Sequence, residues 1–433
     1  MNVNDLILIS VDDHLLEPPD AFERHMPAQY KSRAPRLQTI NGTDTWLYDG
    51  RRFPMVGLNA VVGRPREEYG MEPVSYAQMR RGCFDVRARV DDMNVNGVLG
   101  GLCFPSFPGF AGGMLLNVDD KDLALATVRA YNDWHVHDWC GAAPGRFIPL
   151  GILPLWDVAL MAAEVTRLAT LGVHAVTFPD NPAISKLPSI HSDYWDPFWK
   201  ACADNKVVIC CHIGTGAAAP HSSMDSPVDA WITSMPIAIA NSAADWLFAP
   251  MWRKYPDLRM ALSEGGIGWI PYFLERADFT YQHHSAWTHS DFGKERPSDV
   301  FKRHIITCFI DDRFGLKNLE DVGVDMVTWE CDYPHSDCTW PESPELLWNG
   351  LKDLAPADLA KVTHENAMRE FHYDPFAVLG RANCTVGALR AQAKGVDISP
   401  MVLGSLEGDR GPQKPITSGD IVRQLEKQMA GTA

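Results

Sequence analysis

Eight short runs of β-branched and apolar residues recur along this chain, near residues 6–12, 97–104, 147–152, 173–178, 206–212, 258–263, 305–310 and 325–331. Several stretches between them carry apolar residues at helical spacing. Leu123, Leu125, Val128, Tyr131 and Trp134 do so within 120–140, and Val158, Leu160, Met161, Val165 and Leu168 within 157–171. Strand and helix alternating eight times predict an α/β chain folded as a (β/α)8 TIM barrel, in preference to a doubly wound open sheet. Two stretches fall outside the repeat. Residues 15–90 form a long insertion after strand 1, rich in Pro, Arg and Gly, and are expected to cover part of the barrel mouth. Residues 385–433 read as an appendage to the 1–384 barrel, with Gly, Pro, charge and one short helix near 418–430.

The ends of the apolar runs carry the chemistry. The first, Leu6-Ile7-Leu8-Ile9-Ser10-Val11, leads directly into Asp12-Asp13-His14. Asp12 and His14 are two apart, so on a strand their side chains share a face. Later runs end the same way, at His212, at Glu264 and at Asp332. Ligands at the same end of several parallel strands describe a catalytic metal at the mouth of a barrel. Asp12, His14, His212 and Asp332 can fix an ion and leave a position open for water. Each alone is equally well a polar residue closing a strand; four together point to a metal.

Composition narrows the function classes. Apolar residues make up 46% of the 433, ordinary for a globular enzyme. A net charge of -16 disfavours nucleic acid and anionic membrane surfaces as partners but identifies no substrate; a small-molecule substrate is the expectation. The ten cysteines form no CxxC pair, and several lie inside apolar runs, so the chain is read as reduced and cytoplasmic. No run approaches the ~20 apolar residues of a membrane span, and the first carries no basic flank. Association into a homo-oligomer stays open.

A wider set of motifs carries a resemblance. Besides Asp12-Asp13-His14 these are Trp195-Asp196-Pro197-Phe198-Trp199, leading into His212-Ile213-Gly214, then Ser263-Glu264-Gly265-Gly266, Asp332-Tyr333-Pro334-His335 and Glu365-Asn366-Ala367. In these the chain resembles the amidohydrolase superfamily. The branch is that of amidohydrolase-related proteins, which includes aminocarboxymuconate-semialdehyde decarboxylase and resorcylate decarboxylases. The resemblance implies a barrel whose strand-one pair, strand-five His and strand-eight Asp hold metal, roles that fall to Asp12, His14, His212 and Asp332. Two positions depart from the pattern: the first strand-one ligand, often His, is Asp12, and the strand-six position, commonly His, is Glu264. Three carboxylates and two imidazoles make an oxygen-rich set, suited to Fe²⁺ or Mn²⁺ as well as to Zn²⁺. One ion is favoured and two remain open, because the fourth strand, His174 to Phe178, offers no Lys or Glu to bridge metals.

Glu264 has three readings: direct ligand, support for the Gly265-Gly266 loop, or a group orienting His212. His335 and Asp337 follow Asp332 in a loop at the expected mouth, suited to binding substrate or to ordering that loop. Phe104, Phe107 and Phe110, interleaved with Pro and Gly after the second strand, are expected to form an apolar substrate wall, with Trp269, Tyr272 and Trp340 as additions. Arg80, Arg81 and Arg87 are read as solvated surface, Asp180 as a turn residue, and His283, His284 and His289 as surface residues.

Two reactions compete. In a hydrolase, Asp332 accepts a proton from metal-activated water while His212 polarises a carbonyl, with Glu264 as the third catalytic group. The bond is an ester, thioester, amide or activated C–C bond of a largely apolar acid derivative. In a non-oxidative decarboxylase of an aromatic or unsaturated acid, Asp332 protonates carbon before CO₂ leaves. Glu264 in place of His tilts the expectation toward hydrolysis.

Overall fold

All eight apolar runs form strands in the computed structural model, which describes residues 2–54, 57–70, 73–216, 222–403 and 414–430. β1 (Ile9–His14) is followed by three strands of the insertion, β2 (Arg36–Ile40), β3 (Thr43–Tyr48) and β4 (Arg51–Pro54). Then come β5 (Gly100–Phe104), β6 (Phe147–Ile148), β7 (Ala175–Thr177), β8 (Val208–His212), β9 (Met260–Ser263), β10 (Ile305–Phe309) and β11 (Val327–Trp329). The barrel strands pair in parallel in the order β6-β5-β1-β11-β10-β9-β8-β7. A parallel bridge from Gly151 to Val176 joins the two ends and closes the ring. At Gly151 a Cβ would stand 2.4 Å from Leu168 Cδ1 on the covering helix Val158–Thr170, so a larger residue would have to push that side chain aside.

Two apolar layers follow from strand alternation. Ile9, Val11, Leu102, Phe104, Ile148, Cys210, Ala261, Ile306 and Cys308 belong to one buried cluster with the strands' inner faces. The other faces meet the helices, including Lys121–Trp134 and Val158–Thr170, close to the expected bounds. The Trp195 to Trp199 motif belongs to this outer layer. Phe178, Trp195, Phe198 and Trp199 pack as a group of rings against Trp246, so these aromatics serve packing.

The insertion holds an antiparallel three-stranded sheet, β2-β3-β4. Its two turns are Asn41-Gly42 and Asp49-Gly50, all four residues with positive φ, the geometry that suits tight hairpins. Glu17 fixes the insertion to the loop after β5, accepting from the Ser106 and Phe107 N–H groups at 3.0 and 2.8 Å. The C-terminal stretch returns to the same region: Met401 N–H donates to Gly63 O, and Leu403 N–H to Glu68. Its last helix, Ser418–Ala430, starts beside Pro227, which bridges to Thr417.

Ten cysteines are all free thiols. Among the described residues no helix is long and apolar enough to cross a membrane.

His135, buried at the start of the helical segment His135–Cys140, gives a pH prediction. Burial lowers its pKa to about 3, against an ordinary value near 6.5. Below pH 6.5 the unfolded chain takes up a proton that the fold refuses, so stability falls by up to about 1.4 kcal/mol per pH unit from this group. Urea unfolding at pH 7 and pH 5 should show a smaller loss for His135→Leu than for the parent. Equal losses would show that the ring is solvated in the fold.

Candidate metal centre

The donors meet at the C-terminal ends of four barrel strands. His14 Nε2 lies 3.4 Å from Asp12 Oδ1, 3.4 Å from Asp332 Oδ1 and 3.1 Å from His212 Nε2. His212 Nε2 is in turn 3.6 Å from Asp12 Oδ2 and 3.0 Å from Glu264 Oε2. Donor atoms bound at ~2.1 Å to one ion stand roughly 3.0 Å apart at octahedral angles and roughly 3.4 Å at tetrahedral ones. Four of the five observed spacings fall in that range, and the His212–Asp12 spacing of 3.6 Å lies just above it.

The backbone explains how Asp12 and His14 share this point. β1's pairing with β5 slips between Ser10 and Asp13, an irregularity that lets Val11 join the inner apolar cluster while Asp12 still reaches the donors. Asp13, between them, points elsewhere. It accepts from the Ser10 hydroxyl and the Tyr333 N–H, lies against Gly101, and is raised to about 7 by burial, with Arg89 opposing. Arg89 also donates to the His14 and Gly82 carbonyls, fixing the strand end. From the other side, Asp332 N–H donates to Asp12 O and His14 N–H to Tyr333 O. Asp332 and Glu264 both adopt left-handed backbone, at φ +57° and +60°. Each costs on the order of 1–2 kcal/mol for a non-glycine residue, held by the surrounding bonds.

Without a counter-charge this arrangement is electrostatically poor. Burial, with Glu264, Asp12 and Glu330 nearby, raises Asp332 well above the carboxylate range. Asp12 is raised too, chiefly by burial, although His212 opposes. All four carboxylate oxygens of Asp12 and Asp332 are buried without a hydrogen-bond partner. Burial and the neighbouring His335 and His212 press His14 well below its ordinary value. His212 is the exception: burial disfavours its charge, but Asp12 and Glu264 outweigh that and raise it to about 9. The bond to His212 likewise overcomes burial to hold Glu264 below the usual range. A divalent cation held here would satisfy the orphaned oxygens and take the place of the proton on His212. His212 is also prepared for it, because Nδ1 sits 2.7 Å from the Ile213 carbonyl, which fixes the proton there and frees Nε2.

The approach is marked by exposure. Asp12, His14, His212 and Asp332 are at most 1% exposed, whereas the Glu264 and His335 side chains reach 15% and 10%. His335 stacks on His14 at 3.6 Å and places Nδ1 3.0 Å from Asp332 Oδ1. Burial lowers its pKa to about 3. Phe110 faces both His14 and His212, at 4.7 and 4.6 Å between ring centroids, and Phe104 lies behind them at 5.8 and 5.0 Å.

Phe107 departs from the expected wall. It turns into the insertion, packing on Trp46, Phe22 and Phe53, because Glu17 pins its backbone from that side. Trp340 is likewise directed away, donating to the Asp92 carbonyl, and Tyr272 is exposed on a helix. Arg80 and Arg81 pair with Asp92 and Asp85. Asp180 binds Ser242 and Thr215, holding the loop after β8. His283 and His289 are exposed. Glu330 is a buried carboxylate that the strand pattern hid. It lies two residues before Asp332, and that spacing within an apolar run is the signal that places it on the same face.

The family profile described as amidohydrolase matches residues 19–372. The chain belongs to the amidohydrolase family. A search of curated proteins finds no match. Among solved structures, the barrel is similar to an amidohydrolase from Mycobacterium avium subsp. paratuberculosis K-10, at 20% identity and TM-score 0.63, covering 84% of this chain and 99% of that one. It is also similar to the 5-carboxyvanillate decarboxylase of Sphingomonas paucimobilis, at 20% identity and TM-score 0.57, covering 85% and 100%. A third is a 5-carboxyvanillate decarboxylase from Novosphingobium aromaticivorans, solved with bound manganese. It shows 17% identity and TM-score 0.59, covering 84% and 97%. At these identities the likeness speaks for the fold, and the donor set of this amidohydrolase rests on its own geometry.

Metal binding to this amidohydrolase should depend on pH with a definite sign. The metal-free site keeps a proton on His212 up to about pH 9, and a cation must displace it. Affinity should therefore fall as pH drops below 9, by up to about tenfold per unit for each proton released. Calorimetric Mn²⁺ titration in buffers of different ionisation enthalpy measures that release. Affinity independent of pH between 7 and 9 would remove His212 from the donor set.

Proposed function

We propose that this amidohydrolase is a metal-dependent, non-oxidative decarboxylase of an aromatic carboxylic acid. The observation that carries the reading is the flat lining of the donor cluster. Phe110 faces both metal-site imidazoles, and His335 stacks on one of them, so the approach suits a planar ring. The similarity to barrels that decarboxylate 5-carboxyvanillate, one with manganese, supports the same class. Three carboxylates among the donors fit Mn²⁺ well.

Asp12, His14, His212 and Asp332 would hold the ion, with Glu264 beside it. A bound cation would supply positive charge for the substrate's carboxylate. Phe110 and His335 orient the ring and exclude water. Asp332, paired with His335 at 3.0 Å, delivers a proton to the ring carbon that bears the carboxylate. The bond to the carboxyl carbon then breaks, its electron pair restores the aromatic ring, and CO₂ leaves. Glu264 favours a second reading. It is a partly exposed carboxylate 3.0 Å from His212, placed to take a proton from attacking water in a hydrolysis.

Mn²⁺-loaded protein incubated with hydroxy- and methoxybenzoates should release CO₂, lose that activity on chelation and regain it with Mn²⁺. Asp332→Asn should lower turnover by roughly 10²–10⁴-fold. Turnover of aryl esters or thioesters with no CO₂ from any acid of the panel would overturn the decarboxylase reading in favour of hydrolysis.

A further inference from the structure

Below the donors, Glu330 ties three strands together. Its carboxylate accepts from the Glu264 N–H at 3.1 Å and from the Cys308 thiol at 2.6 Å, both through Oε2. Its own N–H donates to Phe309 O on β10. The strand order here is β9-β10-β11, so a side chain just past β11 reaches across β10 to the end of β9. What it holds there is the residue with left-handed backbone, Glu264 at φ +60°. That conformation aims the Glu264 carboxylate at His212 Nε2, 3.0 Å away.

We infer that Glu330 is a positioning residue for the metal centre: anchored by the Cys308 thiol, it clamps the Glu264 amide and so sets where the Glu264 carboxylate points. The inference rests on the reading of Glu264 as part of that centre. It does not depend on which reaction the centre performs. Asp12, Cys308 and Glu330 also lie close enough together to hold a cation of their own. Positioning is favoured because Glu330 and Cys308 already satisfy each other. Of the three, Asp12 alone has orphaned oxygens, and these face His14 and His212.

Geometry and charge separate in three variants of the full chain. Glu330→Gln can place its carbonyl oxygen at the Oε2 position, where it still accepts from both the Glu264 N–H and the Cys308 thiol. Glu330→Asp keeps the charge but loses the reach, and Glu330→Ala loses both. Mn²⁺ dissociation constants, read from the electron paramagnetic resonance of free Mn²⁺, should stay within about threefold of the parent for Gln. They should rise roughly 10–100-fold for Asp and Ala, the range expected when a group supporting a ligand is removed. The number of ions bound should be the same in all. Crystals of the metal-free Asp variant should show Glu264 turned away from His212. Cys308→Ala, which leaves Glu330 in place but unanchored, should fall between Gln and Asp, and it carries the test if Ala does not fold.

Parent-like Mn²⁺ affinity in the Asp variant, or a loss in Gln as large as in Asp, overturns the clamp. So does a parent that binds two ions and loses one on Cys308→Ala, which would make the lower cluster a second cation site. Failure of the proposed reaction is distinguishable, because it would appear as tight Mn²⁺ binding by the parent with no CO₂ released.

Discussion

Two carboxylates, Asp12 and Asp332, are buried 3.4 Å from one imidazole nitrogen, and the rest of the molecule is arranged to make that tolerable. Neither has a hydrogen bond to its oxygens, and burial drives both toward protonation. A divalent cation turns the same contacts from repulsive to attractive. The barrel supplies what such a site needs, a rigid ring of strand ends converging on one point. Around that ring the backbone is held by charged groups outside the donor set: Asp13 and Arg89 at the end of β1, and Glu330 at the ends of β9 and β11.

The same constraint shapes the pocket. The deepest donors are sealed, and the Glu264 and His335 side chains are the partly exposed members of the described site. His335 is kept neutral by burial and leans on Asp332. In the proposed reaction Asp332 would serve as both metal donor and proton carrier, with His335 3.0 Å from it.

The strands and their terminal donors were legible because period-two spacing and strand-end placement are local properties of sequence. Asp12, His14, His212, Glu264 and Asp332 all follow from where apolar runs stop. Side chains on loops were less legible. Phe104 and Phe110 come to the imidazoles while Phe107 does not, and the difference lies in Glu17, ninety positions away along the chain from Phe107. Glu330 was hidden inside an apolar run, where one acid looks like an interruption. The hairpins of the insertion had a plain signal in Asn41-Gly42 and Asp49-Gly50, masked by the Pro- and Arg-rich composition around them.

The site itself is completed where the first strand meets the last. Ser10 accepts from Cys331 across 321 positions, and Asp332 N–H reaches Asp12 O. During synthesis the growing chain therefore exposes Asp12 and His14 long before their partners exist, and the donor set is complete only once Asp332 has been added. A cation that met the nascent chain would find two ligands on a solvated strand and leave again. The full set can hold a cation only once Asp332 has packed against Asp12, so metal loading waits on closure of the first strand against the last.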